Sequence, residues 1–195
     1  MLLNLENSFK ELGNLPIAKY FVLPINADIE NFKTQIEKIK FPCWIKLNSS
    51  EHKLSLGGVE KCNDFEDLKI THKKFKKKFN GSKFVIQEDE QGFEIIAGIK
   101  QDKTFGKVLM LGIGGILTEV IKDIIFRVCP LDKKEIFFAL QELKIYEILK
   151  KQRYSFEKLV SLIHKFSELN IKEADINPLI INEKGIKIID ARLDI

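Results

Sequence analysis

Two isoleucine-rich runs close the chain, and the residues between them fix how they can pair. Ile176-Asn177-Pro178-Leu179-Ile180-Ile181 and Ile186-Lys187-Ile188-Ile189-Asp190-Ala191-Arg192 flank Asn182-Glu183-Lys184-Gly185, the composition of two strands around a short turn. If Ile181 pairs with Ile186, each step outward keeps the sum of the paired numbers constant, so Asn177 faces Asp190 and Asp175 faces Arg192. Opposed residues share a face of the ribbon with Cβ atoms about 5 Å apart. An amide oxygen and a carboxylate at that spacing suit a hard, oxygen-seeking cation such as Mg²⁺, and magnesium points on to phosphate. The same residues also describe a strand end at Asp190 and an asparagine bonded locally ahead of Pro178. The ribbon alone leaves both readings open.

With 195 residues, the chain can bury the core of one large domain or of two small lobes. Hydrophobic residues at 45% and charged residues at 31% are the balance of a globular, water-soluble protein. No apolar stretch approaches the ~20 residues that span a bilayer, and Glu6 and Lys10 interrupt the N-terminus where a secretory signal would be apolar. A cytoplasmic protein without a membrane partner is expected. Cys43, Cys62 and Cys129 are odd in number and far apart, so buried reduced thiols are expected rather than a disulfide or zinc framework. The net charge of +4 is too small to require a polyanionic partner. Its densest run, Lys69 to Lys78, reads as the solvated face of a helix, and no nucleic-acid partner is expected.

Helical spacing is expected for Ser8 to Leu12, Ala27 to Lys40, Asp64 to Phe79, Lys133 to Lys150 and Ser155 to Leu169. Strand-like runs are Phe41 to Leu47, Lys83 to Gln87, Phe93 to Ile99, Lys107 to Leu111 and Ile124 to Val128. The alternation lacks the regular unit of a parallel doubly wound sheet, and the terminal ribbon must be antiparallel. An α+β chain of two lobes follows, with a junction near Ile86 to Glu94 and lobes over residues 1–85 and 86–195.

Four groups of residues carry chemistry in this reading. Lys46 ends an apolar strand, where its charge can hold a phosphate, although strand-end lysines are common. The loop Asn48 to Val59 holds Gly57, Gly58 and His52, and an imidazole on a glycine-containing loop can accept and release a phosphoryl group near neutral pH or simply be solvated. Gly112, Gly114 and Gly115 follow a strand and let backbone N–H groups approach phosphate oxygens, as tight turns also do. Arg127 interrupts Ile124-Ile125-Phe126-Arg127-Val128, where a guanidinium requires a carboxylate or phosphate partner. Glu94, between Phe93 and Ile95, calls for a ribose diol or a lysine.

In this order, the chain resembles the beta subunits of ADP-forming acetyl-CoA synthetases (acetate-CoA ligases), members of the ATP-grasp superfamily, from about Leu12 to Ile195. The blocks that carry the resemblance are His52-Lys53 with Gly57-Gly58-Val59, Phe105-Gly106 through Gly112-Ile113-Gly114-Gly115 to Glu119, Lys122-Asp123 with Phe126-Arg127-Val128, and Asp175-Ile176-Asn177-Pro178 with Asp190-Ala191-Arg192. It implies an ATP-grasp fold of two lobes with ATP or ADP between them, and Mg²⁺ held by Asn177 and Asp190. It implies that His52 accepts a phosphoryl group from a phosphohistidine on a CoA-binding alpha subunit and passes it to ADP. Lys46 would contact the phosphates, Gln87 and Glu88 the adenine side, and Glu94 the ribose. Arg127 and the Gly112 to Gly115 loop would lie near the phosphates. The expected assembly is a hetero-oligomer, since no CoA-binding domain is visible in the chain.

Three departures mark this sequence. The segment between Glu51 and His52 is about two residues shorter than the family pattern, each residue spanning at most ~3.5 Å. Leu54-Ser55 stands where an aspartate follows the His-Lys pair, and Glu88-Asp89 stands where the family has Pro-Met. Two other functions fit the same fold: a carboxylate ligase working through an acyl phosphate without His52, and a noncatalytic regulatory subunit.

Overall fold

The computed structural model describes residues 1–51, 53–115, 122–152 and 154–195. His52, the residues 116–121 with Glu119 among them, and Arg153 lie outside the described residues. The chain forms two compact units, one of Asn4–Asn7 with Ala18–Asp89 and the other of Met1–Leu3, Ser8–Ile17 and Glu90–Ile195.

In chain order, the first elements are α1 (Leu5–Glu11), β1 (Tyr20–Leu23), a 3₁₀ turn (Ile29–Phe32), α2 (Lys33–Ile36), β2 (Cys43–Leu47), β3 (Val59–Cys62), α3 (Phe65–Lys78) and β4 (Phe84–Glu88). The smaller unit is a four-stranded antiparallel sheet in the order β1-β4-β2-β3. Side chains alternate across its strands, and one face, with Ile45, Cys43, Ile86 and Phe84, joins Leu68 and Phe75 of α3 and Ile36 of α2 in one buried cluster. Phe75 is fully buried and meets Phe79 edge-on at 5.5 Å. Asp64 caps α3 by accepting from the N–H of Asp67, as expected of a helix start.

The expected helix over Ala27 to Lys40 shrinks to a 3₁₀ turn and one α turn. Ile29, Ile36 and Ile39 still reach the core, but Phe32 sits between the two pieces at φ −114° and ψ 11°, which interrupts the hydrogen-bond ladder. β1 and β3 are strands that the sequence reading did not find.

The larger unit continues with β5 (Phe93–Asp102), β6 (Gly106–Ile113), β7 (Ile124–Val128), α4 (Lys133–Glu142), α5 (Tyr146–Lys151), α6 (Phe156–Glu168), β8 (Glu173–Asn182), β9 (Gly185–Ile188) and β10 (Ala191–Asp194). Its sheet runs β10-β8-β5-β6-β7, with β9 also on β8. The ten-residue β8 therefore carries β9 along its C-terminal half and β10 along its N-terminal half. The helical layer buries Leu159, Ile163 and Phe166 of α6 with Ile136 and Leu140 of α4, the spacing of single apolar helix faces. Asp132 and Glu135 form a capping box at the start of α4.

One expected helix over Lys133 to Lys150 is two. The carboxylate of Asp123 accepts from the backbone N–H groups of Lys144 and Ile145 at 3.0 and 3.1 Å, which gives α5 its own start. A buried acid 21 residues upstream is thereby committed to a structural task.

Candidate functional site

The smaller unit presents Lys46 from the middle of its sheet. Lys46 is 4% exposed, and its Nζ donates to Oε1 of Gln87 at 2.6 Å. Gln87 is wholly buried on β4 and also donates from Nε2 to the carbonyl of Ala18 at 3.4 Å. A buried ammonium is costly unless it is met by polar groups, and the Gln87 amide is one such group. The same alternation places Trp44 beside this pair, since Trp44 opposes Gln87 across β2 and β4. Trp44 Nε1 donates to Asp89 Oδ1 at 2.7 Å, and Lys61 Nζ meets Asp89 Oδ2 at 2.7 Å. Glu88 is occupied differently: its carboxylate accepts from the N–H of Lys19 at 2.8 Å, while its own N–H donates to the Lys19 carbonyl at 3.0 Å. It ties the segment before β1 to β4.

In the larger unit, Glu94 on β5 lies under the glycine cluster. The N–H of Gly114 donates to the Glu94 carbonyl at 2.8 Å. A Cβ on Gly115, which has φ +68°, would lie 1.9 Å from Glu94 Oε2, and one on Gly114 would lie 3.0 Å from the Ile95 carbonyl carbon. These two glycines let the chain cross β5 and its carboxylate at contact distance. Gly112 answers another need, because a Cβ there would lie 2.5 Å from the Ile124 side chain. The cluster therefore serves two packing requirements, and the Gly114 N–H is already committed.

Asn177 and Asp190 stand opposite one another. Ile181 pairs with Ile186 and Leu179 with Ile188 on one side, Ile176 with Ala191 and Asp175 with Arg192 on the other. Between these ladders the Asn177 N–H donates to the Asp190 carbonyl at 3.2 Å, and the Ile189 N–H to the Pro178 carbonyl at 3.1 Å. The register read from sequence holds along the whole ribbon. Asp190 Oδ1 accepts from the N–H of Ala191 at 2.8 Å, which orients the carboxylate. Asn177 is exposed and Asp190 half-buried. Both donors are hard oxygens, the kind that magnesium takes in ones and twos beside substrate phosphates. Among the described residues no group of three or more His, Cys, Asp and Glu could hold a metal.

Arg127 is not gathered with this pair. β7 is an edge strand whose Ile124, Phe126 and Val128 are 40%, 55% and 49% exposed, so the run is not buried on both faces as its composition suggests. Arg127 alternates to the face it shares with Leu109, and its guanidinium pairs with Glu142 of α4 and bonds the Phe126 carbonyl at 2.8 Å. The carboxylate partner that the sequence demanded is fifteen residues away on a helix, beyond any local pattern.

The basic helix α3 is largely committed to its own unit. Lys69 pairs with Glu30 and Glu66, Lys74 with Glu60, and Lys76 and Lys78 bond the carbonyls of Ala27 and Leu56. His72 is buried against Phe84, and burial, with Lys76 nearby, lowers its pKa. His164 lies beside Glu168 at 3.3 Å. Cys43 and Cys62 are buried free thiols facing each other across β2 and β3, pushed up to about 12 and about 11 chiefly by burial. Cys129 is only partly buried. Trp44 and Lys61 are the polar neighbours that the sequence reading missed, and the pairing of β2 with β3 and β4 is the signal that finds them.

A family model described as "ATP-grasp domain" matches residues 22–195, nearly the whole chain, so this protein belongs to the ATP-grasp family. Among curated proteins, the chain is 34% identical over 179 residues to a 4-hydroxybutyrate–CoA ligase [ADP-forming] of Nitrosopumilus maritimus, covering 80% of this chain and 26% of that protein. It is 39% identical over 111 residues to the acetate–CoA ligase [ADP-forming] I subunit beta of Pyrococcus furiosus, covering 52% of this chain and 48% of the relative. It thus spans about a quarter of the first of these relatives and about half of the second. Among solved structures, the Ca. Korarchaeum cryptofilum ACD1 in complex with coenzyme A is similar over 98% of this chain and 92% of that one, with a TM-score of 0.84 and 25% identity. No helix among the described residues is long and apolar enough to cross a membrane.

Proposed function

We propose that this chain is the nucleotide-binding part of an ADP-forming acyl-CoA synthetase. The observation that carries the reading is the direct opposition of Asn177 and Asp190 within an ATP-grasp chain whose curated relatives are ADP-forming CoA ligases. In this reading Lys46 contacts nucleotide phosphates as a compact charge held straight by Gln87. Gln87 and Glu88 line the adenine side, Glu94 accepts from the ribose hydroxyls, and the Gly112 to Gly115 segment lets phosphate approach the backbone. Asn177 and Asp190 hold Mg²⁺, which when bound neutralises charge on the phosphate oxygens. The pairing of Arg127 with Glu142 supports a structural role for Arg127 instead of a catalytic one.

His52 is the phosphoryl carrier. Its ring nitrogen attacks the phosphorus held by a histidine on a CoA-binding alpha subunit, so one N–P bond breaks as another forms. A β-phosphate oxygen of ADP then attacks, the His52 N–P bond breaks, and ATP leaves. Such a transition state needs positioning and neutralised charge more than covalent chemistry. Over the full cycle acyl-CoA, ADP and phosphate are interconverted with carboxylate, CoA and ATP, CoA and the acyl group being bound outside this chain. In this division of labour the first lobe supplies His52 and Lys46 and the second supplies the metal ligands.

Incubation of the purified chain with γ-labelled ATP and Mg²⁺ tests this. Acid-labile, alkali-stable label on the protein that disappears in His52→Ala is the expected result. No label under any condition contradicts the relay.

A further inference from the structure

A second feature of the larger unit lies apart from these residues. A cavity of about 390 Å³ opens between α6, the turn joining β8 to β9, and residues 14–16. Its volume is within the range of small-molecule sites, about 300–1,000 Å³. Neither Glu94, Gly112, Gly114 and Gly115 nor Asn177 and Asp190 line it.

Its walls have two characters. The floor is apolar, with Leu15 and Pro16 from the N-terminal segment, Leu162 from α6 and Ile186 from β9, three of them buried. Around that floor stand four lysines, two from each side. Lys158 and Lys165 lie about two turns apart on the α6 stripe that also carries Ser161 and Leu162, and Lys184 and Lys187 come from the hairpin. One acid, Glu90, shares the lining.

The balance differs from that of the other lysine-rich face. On α3, Lys69, Lys74, Lys76 and Lys78 are met by Glu30, Glu60, Glu66 and backbone carbonyls, and only Lys73 and Lys77 lack such a partner among the described residues. At the cavity, none of the four lysines has an ion pair or side-chain hydrogen bond among the described residues. Four positive charges against one negative leave +3 around a single concavity, in a chain whose whole formal charge is +4. Like charges gathered over a low-dielectric floor repel one another and focus a positive field on the space they surround. An anion there relieves that repulsion, and the floor covers whatever apolar body the anion carries.

We propose that this cavity binds a small organic polyanion, its phosphate, sulfonate or carboxylate groups on Lys158, Lys165, Lys184 and Lys187 and its apolar part on Leu162 and Ile186. It is a second ligand site, independent of the nucleotide reading.

Fluorescence titration of the whole chain with pyrenetetrasulfonate, a polyanion with a flat apolar body, tests it. One binding event is expected, weakened about thirtyfold in Lys158→Gln/Lys187→Gln, the loss of two ion pairs at the upper end of what exposed pairs contribute. Lys73→Gln/Lys77→Gln removes the same charge from α3 and is expected to bind as the parent does. Circular dichroism and thermal melting confirm that both variants fold. Unchanged affinity in the first variant, to within about twofold, overturns the site, and so does equal weakening in both. Loss of probe binding in Lys46→Met also overturns it, by assigning the probe to the nucleotide residues. The comparison of the two variants holds whether or not the chain binds nucleotide.

Discussion

Lys46 with Gln87 and Asn177 with Asp190 are both cross-strand arrangements, yet they are built in opposite ways. The first pair is buried and joins residues 41 apart in sequence. The second lies at the junction of β9 and β10, exposed on one side, within a single ribbon. A buried ammonium held by a neutral amide is fixed before any ligand arrives, whereas an exposed amide and a half-buried acid can exchange water for a cation and a phosphate. The contrast predicts that damage to the first pair acts through the rigidity and charge of its sheet, and damage to the second through the metal.

The largest expected effect tests the sheet behind Lys46. Phe75→Ala empties the centre of the α3 core and is expected to cost about 3–5 kcal/mol, read by urea unfolding through Trp44, the single tryptophan, which sits in the same unit. A loss under about 1 kcal/mol, small for a large-to-small core change, would mean that this core does not hold the sheet.

Next, Lys46→Met is expected to weaken ADP binding by about 10- to 100-fold, the range of a charge-assisted hydrogen bond, and to cost about 1–3 kcal/mol of stability because the buried Oε1 of Gln87 loses its donor. Calorimetric titration beside a melting curve separates the two effects.

A glycine pair sharpens the comparison from the other unit. Gly115 and Gly106 have φ of +68° and +74°, so alanine at either is expected to cost about 1–2 kcal/mol of backbone strain. Only Gly115→Ala meets a carboxylate, at 1.9 Å, while nothing lies within 4 Å of a Cβ on Gly106. Displacement of Glu94 is therefore expected to weaken nucleotide binding in Gly115→Ala and not in Gly106→Ala, by the same titration.

The smallest effect is a pH dependence. Burial, reinforced by Lys76 and opposed by Asp28, lowers the pKa of His72. Between that lowered value and the unfolded value of about 6.5, the unfolded chain binds more protons than the folded one. Stability is therefore complete above about pH 6.5 and falls as the pH drops below it. His72→Asn is expected to flatten this part of the melting profile.

The ribbon was legible because its turn and its alternation are local, so one pairing fixed all the others. The helix starts near Asp64, Lys133 and Ser155 were legible for the same reason. The partners of Lys46 and Arg127 were not, since they come from strands and helices whose neighbours only the fold decides. β1 and β3, four residues each, are too short to carry a periodic signal. The break in the helix after Glu142 depends on Asp123, a capping acid outside the segment it caps. The glycine cluster was visible as composition, but its division between packing on Ile124 and passage over Glu94 belongs to three dimensions.

The most direct test of the proposed function is ADP binding with and without Mg²⁺ in the parent chain and in Asp190→Asn, measured by isothermal titration. Magnesium is expected to tighten ADP binding about tenfold or more in the parent and to have no effect in Asp190→Asn. Equal tightening in both proteins would contradict the assignment of Asn177 and Asp190 as the metal pair.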